Sequence, residues 1–227
     1  MRAAIFLALA SCTPVDSGAV TTAKLHADLQ VLATGTGGSQ VFAWLFSHRD
    51  GDPPLNLETI RLVDDDTLTA TSNGSSVAMQ EVDLGVEYRY DAAFAAAEAD
   101  LRFDIALART TEPSAPASSV TLPAPFTPTG PATASRSAPL TLTWSGGSSD
   151  PVSIHVTGCA SADLGPIADT GAATFAAGTV VADPVGATCD LAFEISRRRT
   201  GTIDPAFGQG GSIVAIQQRT LTITSTP

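Results

Sequence analysis

Thr67 to Met79 reads TLTATSNGSSVAM. Two alternating runs flank Asn73-Gly74. A two-residue type I′ turn needs positive φ at both central positions, which Asn and Gly tolerate best, so this stretch encodes a β-hairpin. The pattern continues on both sides. Lys24 to Ala33 sets Leu25, Ala27, Leu29 and Val31 against Lys24, His26, Asp28 and Gln30. Such period-two alternation is the mark of a half-buried strand.

Gly35 to Gly38 is a turn, and Gln40 to Phe46 is an almost unbroken apolar run, expected to be a central strand. Leu57 to Val63, Glu87 to Phe94 and Leu101 to Arg109 bring the first half to about seven strands. Alanine-rich Ala92 to Ala99 is expected to hold one or two helical turns between them. Thr111 to Pro116 (TEPSAP) reads as a linker, because Pro and Ser disfavour both helix and ladder. A second series follows at Ser119–Leu122, Leu140–Ser145, Val152–Gly158, Ala172–Ala176, Cys189–Ser196 and Ser212–Ser225, around a proline-rich stretch from Pro123 to Pro139. Short strands with recurrent turn signals and almost no helical period predict an all-β fold. Trp44 and Trp144 each sit on a central-looking strand, one domain length apart. The expectation is two tandem immunoglobulin-like β-sandwiches, an acidic one over 19–112 and one over 113–227, with one continuous sandwich or barrel as the alternative. "Immunoglobulin-like" describes architecture only, since Trp144 precedes both Cys159 and Cys189.

The N-terminus carries an address. Arg2 is a positive start, Ala3 to Ala10 an apolar run, and Ser11-Cys12 its close. This is the layout of a secretory signal peptide, here 1–11, and the run is too short to span a bilayer. Leu9-Ala10-Ser11-Cys12 resembles a bacterial lipobox. That resemblance implies cleavage before Cys12, a diacylglyceryl group on its thiol, acylation (palmitate or similar) of the new amino group, and a tether over 12–18. Several acyl chains on one residue hold firmly where a single chain holds marginally. Thr13, rather than Asp, follows the cysteine, which by the same resemblance favours the outer membrane. With its β-rich segments, the chain resembles secreted bacterial lipoproteins of the cell envelope.

With Cys12 assigned to lipid, Cys159 and Cys189 remain. In an oxidising envelope a pair reads as a disulfide, the alternative being free or metal-binding thiols. The net charge of −11 is concentrated in residues 13–112, with sixteen Asp and Glu against six Lys and Arg. Such acidity argues against nucleic acid and against electrostatic binding to anionic lipid. The basic cluster Arg197-Arg198-Arg199 is expected to be a solvated turn.

Recognisable chemistry is sparse. There is no Gly-x-Ser-x-Gly elbow, His-Glu-x-x-His or phosphate loop. Gly35–Ser39 and Gly208–Ser212 precede strands and read as hairpin turns. His26, His48 and His155 lack a local catalytic signature, so no catalytic residue is assigned; an envelope hydrolase built from distant strands is the least favoured reading. Asp50, Asp52 and Asn56 in one loop, with Asp64, Asp65 and Asp66 in the next junction, form the one acidic constellation. Loops at a sandwich end can converge carboxylates on calcium, and solvated turns are the competing reading. The leading expectation is a membrane-anchored, non-catalytic binding or structural module whose partner is an envelope protein or glycan. A calcium- or carbohydrate-binding module is the alternative.

Overall fold

The computed structural model describes residues 14–48, 57–85, 87–180 and 188–227. Its strands are β1 (Val15–Asp16), β2 (Leu25–Ala33), β3 (Ser39–His48), β4 (Leu57–Arg61), β5 (Thr67–Ser72), β6 (Ser75–Ala78), β7 (Gln80–Asp83), β8 (Tyr88–Phe94), β9 (Arg102–Ala108), β10 (Ala115–Thr121), β11 (Pro128–Thr129), β12 (Thr133–Ser135), β13 (Leu140–Trp144), β14 (Val152–Gly158), β15 (Ala162–Ile167), β16 (Ala172–Phe175), β17 (Cys189–Thr200) and β18 (Gly211–Thr226). The only helical turns among the described residues are 3₁₀ turns at Ser17–Ala19 and Thr22–Lys24. The fold is all-β and of sandwich type. The turns expected in Ala92–Ala99 do not form: β8 runs through Phe94, and the residues after it are irregular. Ladder bonding to β3 overrides alanine's helical preference.

One sheet dominates. Its strands run β1-β4-β3-β2-β18-β17-β14-β15, with β8 also on β3, β7 on β8 and β12 on β18, eleven strands in all. Two smaller sheets, β10-β9-β5-β6 and β11-β13-β16, complete the fold. The sixteen-residue β18 explains how they sit. Its ladder with β17 is unbroken from Cys189↔Ser225 to Thr200↔Val214. Side chains alternate without interruption along such a strand. Ile213 and Ala215 enter one core, and Leu221 and Ile223 the other, so both cores lie on the same face of the main sheet. The two small sheets therefore cover that face side by side.

The alternation of β2 is as expected: Leu25, Ala27, Leu29 and Val31 are buried and the residues between them partly exposed. At about 25 cal/mol per Å² of apolar surface, such rows dominate the stabilisation. The Asn73-Gly74 hairpin is also present, with φ of 48° and 74°. The cores are not the two halves of the chain. Ala115, Val120 and Leu122 join the first core, beyond the expected linker, as do Phe207, Ile213 and Ala215. The stretch expected as a tether is ordered from Val15: β1 pairs in parallel with β4, and the buried Ser17 hydroxyl accepts from the Val63 N–H at 3.0 Å. The signal peptide, Cys12, Asp50 and Asp52 lie outside the described residues.

Cys159 and Cys189 form a disulfide with Cα atoms 6.2 Å apart, joining the end of β14 to the start of β17. The three arginines are not a solvated turn. They lie on β17, whose alternation sends Arg197 inward to 1% exposure. Its Nε donates to Asp169 Oδ2 at 2.7 Å, and its other nitrogens donate to the carbonyls of Ala124, Ser145 and Gly146. Arg199 binds Asp150 through Nε and Nη2, both at 2.9 Å, and Asp100 at 2.7 Å. Phe126 stacks under both Arg197 and Arg219 where the two cores meet, the guanidinium carbons 4.8 and 5.6 Å from its centroid.

Candidate ligand-binding face

One face of the main sheet is covered. Among the described residues the other is open, and its composition is unusual. Strand β3 sends Val41, Ala43 and Leu45 into the core, so Phe42, Trp44 and Phe46 occupy the opposite face, each partly exposed. The sequence expectation of a central strand holds for hydrogen bonding: β2 lies on one side, β8 and β4 on the other. It does not hold for covering, because among the described residues no sheet packs over this row.

The neighbouring strands supply a polar frame. In register with the rings are Gln30 beside Phe42, Asp28 beside Trp44 and His26 beside Phe46 on β2, and Asp91 beside Phe42 on β8. Phe42 and Trp44 sit with centroids 6.0 Å apart, and His26 and Phe46 6.3 Å apart. Arg89 spans the first pair, 4.8 Å from the Phe42 centroid and 6.0 Å from that of Trp44. Asp91 fixes it there with two bonds of 2.7 and 2.8 Å. These bonds raise the arginine's pKa further, so the cation is permanent. Across β2, the Ser212 hydroxyl donates to Asp28 Oδ1 at 2.8 Å. The result is a fixed row of rings, with carboxylate, amide and guanidinium groups at its edges.

Among the described residues, neither His26 nor His155 contacts a nucleophile. His26 Nδ1 donates to the Gln209 carbonyl at 3.1 Å, and its Nε2 stands 3.4 Å from Asp28. His155 Nδ1 contacts Asp163 at 2.6 Å on an exposed part of the sheet. Ser212 bonds to the carboxylate and not to the imidazole, so it lacks the Ser–His contact that activation needs.

Among the expected calcium ligands, Asp64 and Asp65 occupy an exposed turn with φ of 55° and 65°. Asp66 points inward and is committed to Arg109, whose Nε donates to its Oδ2 at 2.9 Å, both side chains being almost wholly buried. Arg109 also binds the carbonyls of Val20 and Ser17. The described residues contain no group of three or more potential ligands able to hold a metal ion.

Sequence reasoning missed the aromatic face. Its signal was present: a strand apolar on both faces but aromatic at every second position. No family model and no curated protein matches the chain.

Proposed function

We propose that this chain is a lipid-anchored, non-catalytic binding module of a bacterial envelope, held through Cys12, and that it recognises a neutral glycan with the open face of its main sheet. The observation that carries this reading is the row Phe42-Trp44-Phe46, held partly exposed within a polar frame. Burying aromatic surface is strongly favourable, and a ring face with polar groups at its edge suits the apolar face and hydroxyl rim of a sugar. Main-chain recognition is unavailable at β3, which is bonded on both sides, so a ligand there is read by rings and side chains. Asp28, Asp91 and Gln30 accept from or donate to hydroxyls. The net charge of −11 disfavours anionic polymers.

Tryptophan emission provides the test. Trp144 is buried, with its Nε1 bonded to Asp169 at 2.7 Å, so a ligand-induced change reports on Trp44. Titration with xyloglucan, galactomannan and mixed-linkage glucan is expected to shift the emission with at least one of them, and Trp44→Ala to weaken that binding about ten-fold, or about 1.4 kcal/mol. If no neutral polysaccharide binds, the glycan reading fails. The anchor is tested separately. An alkyne fatty acid fed to the expressing bacterium should label the protein, and labelling that persists in Cys12→Ala would refute attachment there.

A further inference from the structure

A second surface flanks the glycan face and shares Phe42 and Asp91 with it, but its argument rests on main-chain geometry and not on the rings. Free sheet edges invite pairing with other chains, and proteins guard them with charge, proline, bulges or brevity. Most edges here are guarded. β10 carries Pro116, has a register shift between Ala115 and Ser118, and is bridged by Thr202. β15 carries Asp163, Pro166 and a register shift. β7 carries Glu81 and Asp83; β1 and β11 are two residues long. β6, reading Ser-Ser-Val-Ala, is short but carries no charge, proline or bulge. β16 is similarly plain, but the cavity beside its Phe175 is only about 20 Å³.

Beside β6 lies real space. A cleft of about 410 Å³ between Val77, Ala78 and Gln80 on one side and Phe42, Asp91 and Ala93 on the other continues into one of about 230 Å³. Val77 and Ala93 line both. The hairpin register determines which backbone groups face outward. Ser72 and Ser75 flank the two-residue turn and form a hydrogen-bonded pair, as do Ala70 and Val77. Ser76 and Ala78 therefore turn their N–H and C=O groups outward. The Ala78 carbonyl accepts from Gln80 Nε2 at 3.1 Å. Among the described residues, the Ser76 N–H and C=O and the Ala78 N–H point away from β5 at the sheet edge with no strand paired to them.

We infer that β6 is an acceptor edge for an extended, uncharged peptide segment of another protein, which adds as a fifth strand to the β10-β9-β5-β6 sheet. Charge selects the occupant. Asp91 is the only charged residue lining the cleft, and both of its oxygens are held by Arg89. A charged segment would lose its hydration with nothing to replace it. An uncharged one gains main-chain bonds from β6 and apolar contact with Val77. A second copy is disfavoured, because two chains each of net charge −11 repel one another.

The test selects a phage-displayed random dodecapeptide library on the immobilised full chain. Short uncharged sequences with β-branched residues at alternate positions are expected to enrich. The best synthetic peptide should slow amide exchange at Ser76 and Ala78 in the wild-type protein. Ser76→Pro removes an outward N–H, which an edge strand tolerates, and should weaken the peptide about ten-fold while leaving polysaccharide binding unchanged. Failure to enrich any peptide, enrichment of charged sequences, unchanged exchange at Ser76 and Ala78, or equal binding to Ser76→Pro overturns the inference. So does self-association that Ser76→Pro abolishes, since it would make a second copy the occupant.

Discussion

Asp169→Ala is expected to be among the most damaging single substitutions in this molecule. Asp169 is the counter-ion of Arg197, with side-chain exposures of 0% and 2% respectively. Its other oxygen accepts from Trp144 Nε1 at 2.7 Å and from the Gly171 N–H at 3.2 Å. Truncation leaves a buried guanidinium without its anion and an indole N–H without its acceptor. Breaking a buried pair by removing one partner costs about 3–5 kcal/mol. At roughly 2–4 °C per kcal/mol for a chain of this size, the melting temperature should fall by about 6–20 °C. Two controls isolate the cause. Asp104→Ala breaks an exposed pair, with Arg102 and Asp104 side chains 62% and 45% exposed, and should leave the melting temperature almost unchanged. The double variant Asp169→Ala/Arg197→Met removes the stranded charge as well and should recover part of the loss. Differential scanning calorimetry reads all three. A loss below about 1 kcal/mol in the single variant, or a double variant no more stable than the single, would refute the reasoning.

Other outcomes follow from the same structure. Reducing the Cys159–Cys189 bridge, which spans 30 residues, should lower stability by up to about 3.5 kcal/mol, measured by urea denaturation with and without dithiothreitol. Gly74→Ala meets no atom within 4 Å at its new Cβ, so it should cost only the left-handed backbone penalty of about 1–2 kcal/mol, by the same assay. Burial pushes the Asp150 carboxyl up, but hydrogen bonds from Arg199 and Ser148 and the charges of Arg199 and Arg197 outweigh it, leaving the pKa below its ordinary value of 3.8. The stability it contributes is present above that value and is lost as pH falls through the depressed folded one. Thermal melts of Asp150→Asn and wild type should therefore converge below about pH 3.8 and separate above it.

Local features were legible in the sequence to the extent that they depend on neighbours. Asn73-Gly74 specifies its own turn, and β2 declares its buried side by alternation. Val152–Gly158 matched β14 residue for residue. The arginine triplet was not legible, because what buries Arg197 is a carboxylate 28 residues away. Composition at 197–199 resembles a solvated turn whether or not that partner exists. β3 was half legible: its continuous apolar run implies two buried faces. Only the assembled topology leaves one of them open, and the binding proposal rests on that difference. The acidic constellation divided for a similar reason. Asp64, Asp65 and Asp66 are adjacent in sequence, yet backbone geometry exposes two and commits the third to Arg109.

The route of β18 has a consequence for the order of events during folding. This strand enters both cores, pairs with β17 along twelve residues and lies parallel to β2, with Gly211 opposite Ala27 and Gln217 opposite Ala33. Those partners are separated by most of the chain, so the contacts that join the sheet carry a large loop-closure cost and form slowly. A nascent chain lacking residues 211–226 has neither core closed. It exposes the edges of β2 and β17 together. Folding to a finished sheet is then a late, concerted event, coupled to the appearance of the last strand. Until it occurs, the unpaired edges of β2 and β17 are open to pairing with other chains.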